Sequence, residues 1–158
     1  MSYPTKMEAN GHIYNINTDY RVALACLRVI SDVSITDLER FYACESLLLG
    51  YDVLSQDEYI LKTKIKEYLM CGREESSDNS EIDMDYFQDE KYIRTSIKQV
   101  YHGLDILKLD YLHWYEFNEL IEGLTTDSVL ERIRELRTYD VSNISDEKEK
   151  QRIIKAKE

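Results

Sequence analysis

The period of the apolar residues constrains this chain more than any short motif. Leu61, Ile65, Tyr68 and Leu69 fall at i, i+4, i+7 and i+8, and Ile93, Ile97, Val100 and Tyr101 again share one face. Such spacing collects apolar groups into a single stripe of a helix, which must then be covered by another element. Five glycines and one proline in 158 residues leave little material for turn-rich all-β architecture and favour helices with short connections. A chain of this length is expected to form one domain with a sizeable core. The fold expected is mainly α, a compact helical domain of about six to seven helices with a short N-terminal β-hairpin. Residues 1–144 make up that domain, and residues 145–158 form a charged C-terminal helix or tail.

Along the chain, Asn10-Gly11 is the hairpin signal within 5–16, because both central positions of a type I′ turn need φ > 0. Thr18 or Asn17 is expected to cap a helix from Asp19 to about Val33, where Val22, Leu24, Cys26, Leu27, Val29, Ile30 and Val33 cover most of the circumference. That distribution predicts a central, largely buried helix. Capping boxes at Thr36–Glu39 and Ser55–Glu58 open the next two helices, the first carrying Leu38, Phe41, Cys44, Leu48 and Leu49 inward and stopping at Gly50. Residues 73–88 have no apolar period and read as a mobile acidic loop. Asp89 is the expected cap of a helix stopping at Gly103. Thr125, Thr126 or Asp127 starts another with Val129, Ile133 and Leu136 inward, and Ser145 caps the last.

The segment Asp110–Glu122 is the densest aromatic and apolar stretch, holds the only tryptophan, Trp114, and lies in a helix expected from about Leu107 to Glu122. Wound as one helix, it places Leu109, His113, Trp114, Phe117, Leu120 and Ile121 on an inward arc. Tyr111, Tyr115, Glu116, Asn118, Glu119 and Glu122 lie on the other side, a tyrosine-and-carboxylate face. Tyrosine supplies rigid contact area at interfaces. Tyr111, Tyr115, Glu119 and Glu122 are therefore the candidate partner-binding residues, with Ile153 and Ile154, the large apolar residues of the charged tail.

The net charge of −11 is unevenly placed, for eight acids against one arginine crowd Arg73–Glu90. An acidic protein repels phosphate backbones, which argues against nucleic acid as a partner. Cys26, Cys44 and Cys71 are odd in number and never form C-x-x-C, so they read as buried free thiols of a reducing compartment. No basic n-region with an apolar run opens the chain, and no stretch approaches the ~20 apolar residues that span a bilayer. A cytoplasmic protein with no membrane partner is expected.

Nucleotide-binding, hydrolase and zincin motifs are missing, so neither a cofactor nor an enzymatic role is expected. Asp83-Met-Asp-Tyr-Phe lacks the later ligands of a calcium loop. His12, His102 and His113 show no metal-ligand spacing. His113 sits in the apolar arc and reads as a hydrogen-bonded core residue in preference to a general base.

Three stretches carry a further signal: Leu112-His-Trp-Tyr-Glu-Phe-Asn-Glu-Leu-Ile-Glu-Gly-Leu124, Arg134-Glu-Leu-Arg-Thr-Tyr-Asp140 and Ile16-Asn-Thr-Asp-Tyr-Arg21. Together they resemble the bacteriophage gene-product-fifteen family of tailed phages and prophages of Gram-positive bacteria, and the resemblance spans nearly the whole chain. Tyr115 departs from it, since the family often has a second tryptophan there. Family genes of this kind lie between those for the major tail protein and the tape-measure protein. The resemblance thus implies a tail-assembly-chaperone-like protein of the host cytoplasm, binding the tape-measure protein and the tail-tube protein, and acting as a homo-oligomer. The alternative is an acidic inhibitor that mimics DNA to occupy a host defence protein, which rests on the 73–90 charge cluster alone.

Overall fold

A computed structural model of the chain describes residues 2–73, 84–142 and 144–157. Two antiparallel strands, β1 (Lys6–Ala9) and β2 (His12–Asn15), precede the helices α1 (Tyr20–Ser31), α2 (Asp37–Leu49), α3 (Glu58–Leu69), α4 (Glu90–Val100), α5 (Trp114–Glu122), α6 (Val129–Thr138) and α7 (Glu147–Lys157). The protein is mainly α with an N-terminal hairpin, as the periodicity predicted. The ten residues 74–83 of the expected acidic loop lie outside the described residues. Two units are distinguished, Met1–Ser76 with Leu109–Glu119, and Ser77–Lys108 with Leu120–Glu158.

In the first unit, Asn10 (φ 50°) and Gly11 (φ 82°) make the turn of the hairpin, which pairs Ala9 with His12 and Met7 with Tyr14. An isolated two-stranded ribbon is marginal, and a buried carboxylate anchors this one. Asp57 is fully buried and accepts from Asn10 Nδ2 at 2.8 Å and from the Tyr14 hydroxyl, with His12 Nδ1 2.9 Å away. The Tyr14 hydrogen bond, foremost among these, holds the Asp57 carboxyl below the usual carboxylate range. The expected capping box at Ser55 does not form. Ser55–Asp57 is a 3-10 turn, and Asp57 makes no side-chain cap because its oxygens serve the hairpin.

α1 is capped by Asp19, whose carboxylate accepts from Arg21 N at 2.9 Å, so neither Thr18 nor Asn17 is the cap. Nor is α1 largely buried. Tyr20, Ala23 and Cys26 are its buried residues, whereas Ile30 and Val33 are 44% and 91% exposed. It packs on α2 along one edge, where Cys26 Sγ points to Cys44 O at 3.9 Å and Cys44 Sγ to Cys26 O at 3.7 Å. Both thiols are free and buried, and the contact with Cys44 together with burial pushes the Cys26 thiol far up. On α2 the Thr36–Glu39 capping box is present, Phe41, Cys44 and Leu48 face inward, and Gly50 ends the helix. Leu38, expected inward, is 59% exposed in the first turn of α2. α3 buries Leu61, Ile65, Tyr68 and Leu69 as predicted.

In the second unit, α4 buries Ile93, Ser96 and Ile97. Asp89 stands at its N-cap without capping it. The fully buried carboxylate takes both Arg137 guanidinium nitrogens, at 2.6 and 2.8 Å, and the Asp85 N–H at 2.9 Å. α6 starts from Ser128, not from Thr125, Thr126 or Asp127, with Ser128 Oγ accepting from Glu131 N. Its buried residue is Leu130, whose N–H donates to Ser96 Oγ at 2.9 Å, and Val129 is exposed instead. α7 begins at Glu147, with Asp146 Oδ1 accepting from Lys148 N at 2.9 Å, so Asp146 and not Ser145 caps it. Ile153 and Ile154 are half-buried there, and α7 packs on α6.

Candidate interaction site

The long aromatic helix expected over Leu107–Glu122 is shorter in the structure. Ile106–Lys108 is a 3-10 turn, and α5 starts at Trp114. What stops it from starting earlier is the segment at α1. Tyr20 N donates to Leu112 O at 2.9 Å and Trp114 N to Thr18 O at 2.8 Å, so Asp19 and His113 form an antiparallel bridge. Arg21 adds a second tie, donating to Leu109 O at 2.5 Å and to Asp110 O at 3.4 Å. The backbone groups that a helix over 107–113 would use are thus taken by tertiary hydrogen bonds.

His113 is the residue that ends this extended stretch and begins the helix. Its Nδ1 accepts from Tyr115 N at 3.0 Å, the position of an N-cap acceptor. With Nδ1 accepting, Nε2 carries the hydrogen and donates to Pro4 O at 3.1 Å. The ring is buried and stacks on Tyr3, with centroids 4.8 Å apart. Both nitrogens are engaged, which makes His113 a cap and a strut. His113→Ala is expected to lower stability by about 1–2 kcal/mol, with His113→Asn recovering most of it. Urea unfolding followed by Trp114 fluorescence measures both.

Of the inward arc, Trp114 is fully buried and His113, Phe117 and Ile121 nearly so, with the Tyr20 ring stacked on Phe117 at 4.6 Å, whereas Leu120 and Leu109, which precedes the helix, are half-buried. The outward face differs. Tyr111 precedes the helix; it is 54% exposed, and its hydroxyl is 2.6 Å from Thr18 Oγ1. Tyr115 is half-buried, tilted against Tyr68 at 5.5 Å and Tyr3 at 6.2 Å. Asn118, expected outward, is buried and donates to Trp114 O at 2.8 Å. Glu119 is exposed and accepts from the Tyr3 hydroxyl at 2.5 Å, a contact that helps push the Tyr3 phenol up to about 12. The chain's own N-terminal segment therefore lies over Tyr115 and Glu119. Glu122 is exposed in the other unit, as are parts of Ile153 and Ile154. Tyr111, Tyr115 and Glu119 belong to the first unit, and Glu122, Ile153 and Ile154 to the second.

Sequence reasoning missed a cavity of about 390 Å³ in the first unit, lined by Lys6, Met7 and Glu8 of β1, Lys64, Glu67 and Tyr68 of α3, and Pro4, Ile16, Gly72 and Tyr115. Tyr68 is 4% exposed, and its hydroxyl has no hydrogen-bond partner. Burial pushes the phenols of both Tyr68 and Tyr115 up, so both remain neutral donors. The signal available in the sequence was Tyr68 itself, a polar-tipped residue inside an otherwise apolar stripe. Among the described residues no cluster of His, Cys, Asp or Glu can hold a metal ion.

The model of the family described as bacteriophage Gp15 protein matches residues 2–158. The chain belongs to that family. Nothing among curated proteins or solved structures matches it. In this Gp15-family protein two of the stretches behind the resemblance are joined in space, Thr18 and Tyr20 holding Leu112 and Trp114, while Arg137 of the third holds Asp89, which lies outside them. Those motif residues preserve the fold. No described helix is long and apolar enough to cross a membrane.

Proposed function

We propose that this phage protein is a tail-assembly chaperone that binds the tape-measure protein during tail morphogenesis, without catalysis. Family membership over residues 2–158 carries the reading. The apolar surface of the first unit supports it, because Ile30, Val33 and Leu38 at the α1–α2 corner are exposed where periodicity predicted burial. Exposed apolar residues of this kind suit reversible contact with another polypeptide, with modest desolvation on each side. The protein acts in the host cytoplasm, as an oligomer, and the tail-tube protein is a second partner. Co-expression with the tape-measure protein of the same genome tests the reading. Co-purification of the two, and loss of tails when the gene is deleted, are expected. Absence of a complex together with normal tails in the deletion strain would overturn it.

A further inference from the structure

Asn10 is the one asparagine of six that precedes a glycine, and the fold leaves that pair open. Both residues are exposed, and both lie in the left-handed region at the tip of the hairpin, at φ 50° and 82°. The Gly11 N–H makes no hydrogen bond among the described residues, and no atom beyond its chain neighbours lies within 4 Å of where a Gly11 Cβ would stand. A backbone nitrogen free of hydrogen bonds and of a side chain is the nucleophile that asparagine deamidation needs. Asn15, Asn17 and Asn118 precede Ile16, Thr18 and Glu119, whose side chains crowd the same attack.

The same side-chain amide fastens the hairpin. Asn10 Nδ2 donates to Asp57 Oδ1 at 2.8 Å and to Gln56 O at 3.2 Å. Both neighbours are acceptors, so the nitrogen end of the carboxamide must face them. The Tyr14 hydroxyl and His12 Nδ1 both serve Asp57 Oδ2, which leaves Asn10 as the donor to Oδ1 of a fully buried carboxylate. β1 packs on α3, and Asp57 stands at the start of that helix. A carboxylate at position 10 has no hydrogen to donate, and it sets a second negative charge against Asp57 at hydrogen-bond distance. Like charges that close repel, and a buried carboxylate that loses a donor is costly.

We propose that Asn10 is a site of spontaneous deamidation, and that its conversion to aspartate or isoaspartate frees the hairpin from α3. Solvent base takes the Gly11 amide proton, and the nitrogen attacks Asn10 Cγ. The Cγ–Nδ2 bond breaks, and Nδ2 leaves as ammonia with a proton from water, so that a cyclic succinimide remains. Water then opens the ring. Cleavage between the Gly11 nitrogen and Cγ gives aspartate, and cleavage between that nitrogen and the Asn10 main-chain carbonyl gives isoaspartate. One water is consumed and one ammonia released, with no change of oxidation state. Isoaspartate also routes the main chain through its side-chain carbon, which lengthens the two-residue turn and misaligns the Ala9–His12 pair. The step is one-way, so the hairpin is fastened in newly made protein and released in aged protein.

Full-length protein held for days in mildly alkaline buffer, then digested and fragmented in a mass spectrometer, tests the chemistry. The amide-to-acid mass gain is expected at Asn10 and not at Asn15 or Asn17. Asn10→Gly keeps a turn-forming pair and is expected to show no gain in that stretch. Amide exchange tests the consequence. In Asn10→Asp the Ile16 amide, which donates to Thr5 O at the base of the hairpin, is expected to exchange about tenfold faster than in the wild type. The Tyr20 amide, which donates to Leu112 O outside the hairpin, is expected to keep its rate. An unchanged mass at Asn10 overturns the modification site. An Ile16 amide that exchanges at the wild-type rate in Asn10→Asp, or a Tyr20 amide accelerated by the same factor, overturns the release of the hairpin.

Discussion

Trp114→Ala is expected to destabilise the protein by about 3–5 kcal/mol. The indole is fully buried, lies 5.9 Å from the Phe117 ring, and donates from Nε1 to Leu69 O at 3.2 Å. Truncation removes the largest buried side chain of the first unit and leaves a cavity between α5 and α3. It also strips the last carbonyl of α3 of its donor, and helix-end carbonyls without partners are costly. Trp114→Phe separates the two effects, because it keeps most of the ring volume and loses the N–H. It is expected to cost about 1–2 kcal/mol. Urea unfolding followed by far-UV circular dichroism measures both variants. Equal losses would show that the hydrogen bond, not the volume, dominates.

The second large effect falls on the Asp89–Arg137 pair. Arg137→Met is expected to cost about 3 kcal/mol, because it leaves a fully buried carboxylate with the Asp85 N–H as its remaining partner. The double variant Asp89→Leu, Arg137→Met removes both charges and is expected to regain a good part of that loss. The pair also has a pH signature. The Arg137 hydrogen bonds hold the Asp89 carboxyl below its ordinary range. Its contribution is therefore complete above the unfolded value of about 3.9 and fades as pH falls through the lower folded value. The stability gap between wild type and Arg137→Met is expected to be constant near neutrality and to shrink below about pH 4. Thermal melts across that range measure it. A gap that instead narrows as pH rises toward 7 would show that another group sets it.

Both effects bear on what the family resemblance records. Thr18–Arg21, Leu112–Trp114 and Arg137 are distant in sequence and look like separate signatures. In the fold the first two are hydrogen-bonded to each other and shape the start of α5, and Arg137 binds Asp89 and fastens α4 to α6. A motif built this way identifies a fold without marking a binding site.

The sequence by itself determined the local structure. Asn10-Gly11 dictated the hairpin, Thr36–Glu39 and Gly50 set the bounds of α2, the stripe of α3 named its own buried residues, and that of α4 named Ile93 and Ile97. These outcomes depend on backbone dihedrals and on neighbours a few residues away, so they are written in short windows. Tertiary structure decided where a polar group finds a partner far along the chain. Asp57 gave up a helix cap to hold the hairpin, and Asp89 did the same for Arg137. Leu109–Trp114 gave up helix for pairing with α1, although its apolar period is helical. In each case a buried backbone or carboxylate group gains more from a distant donor than local propensity offers.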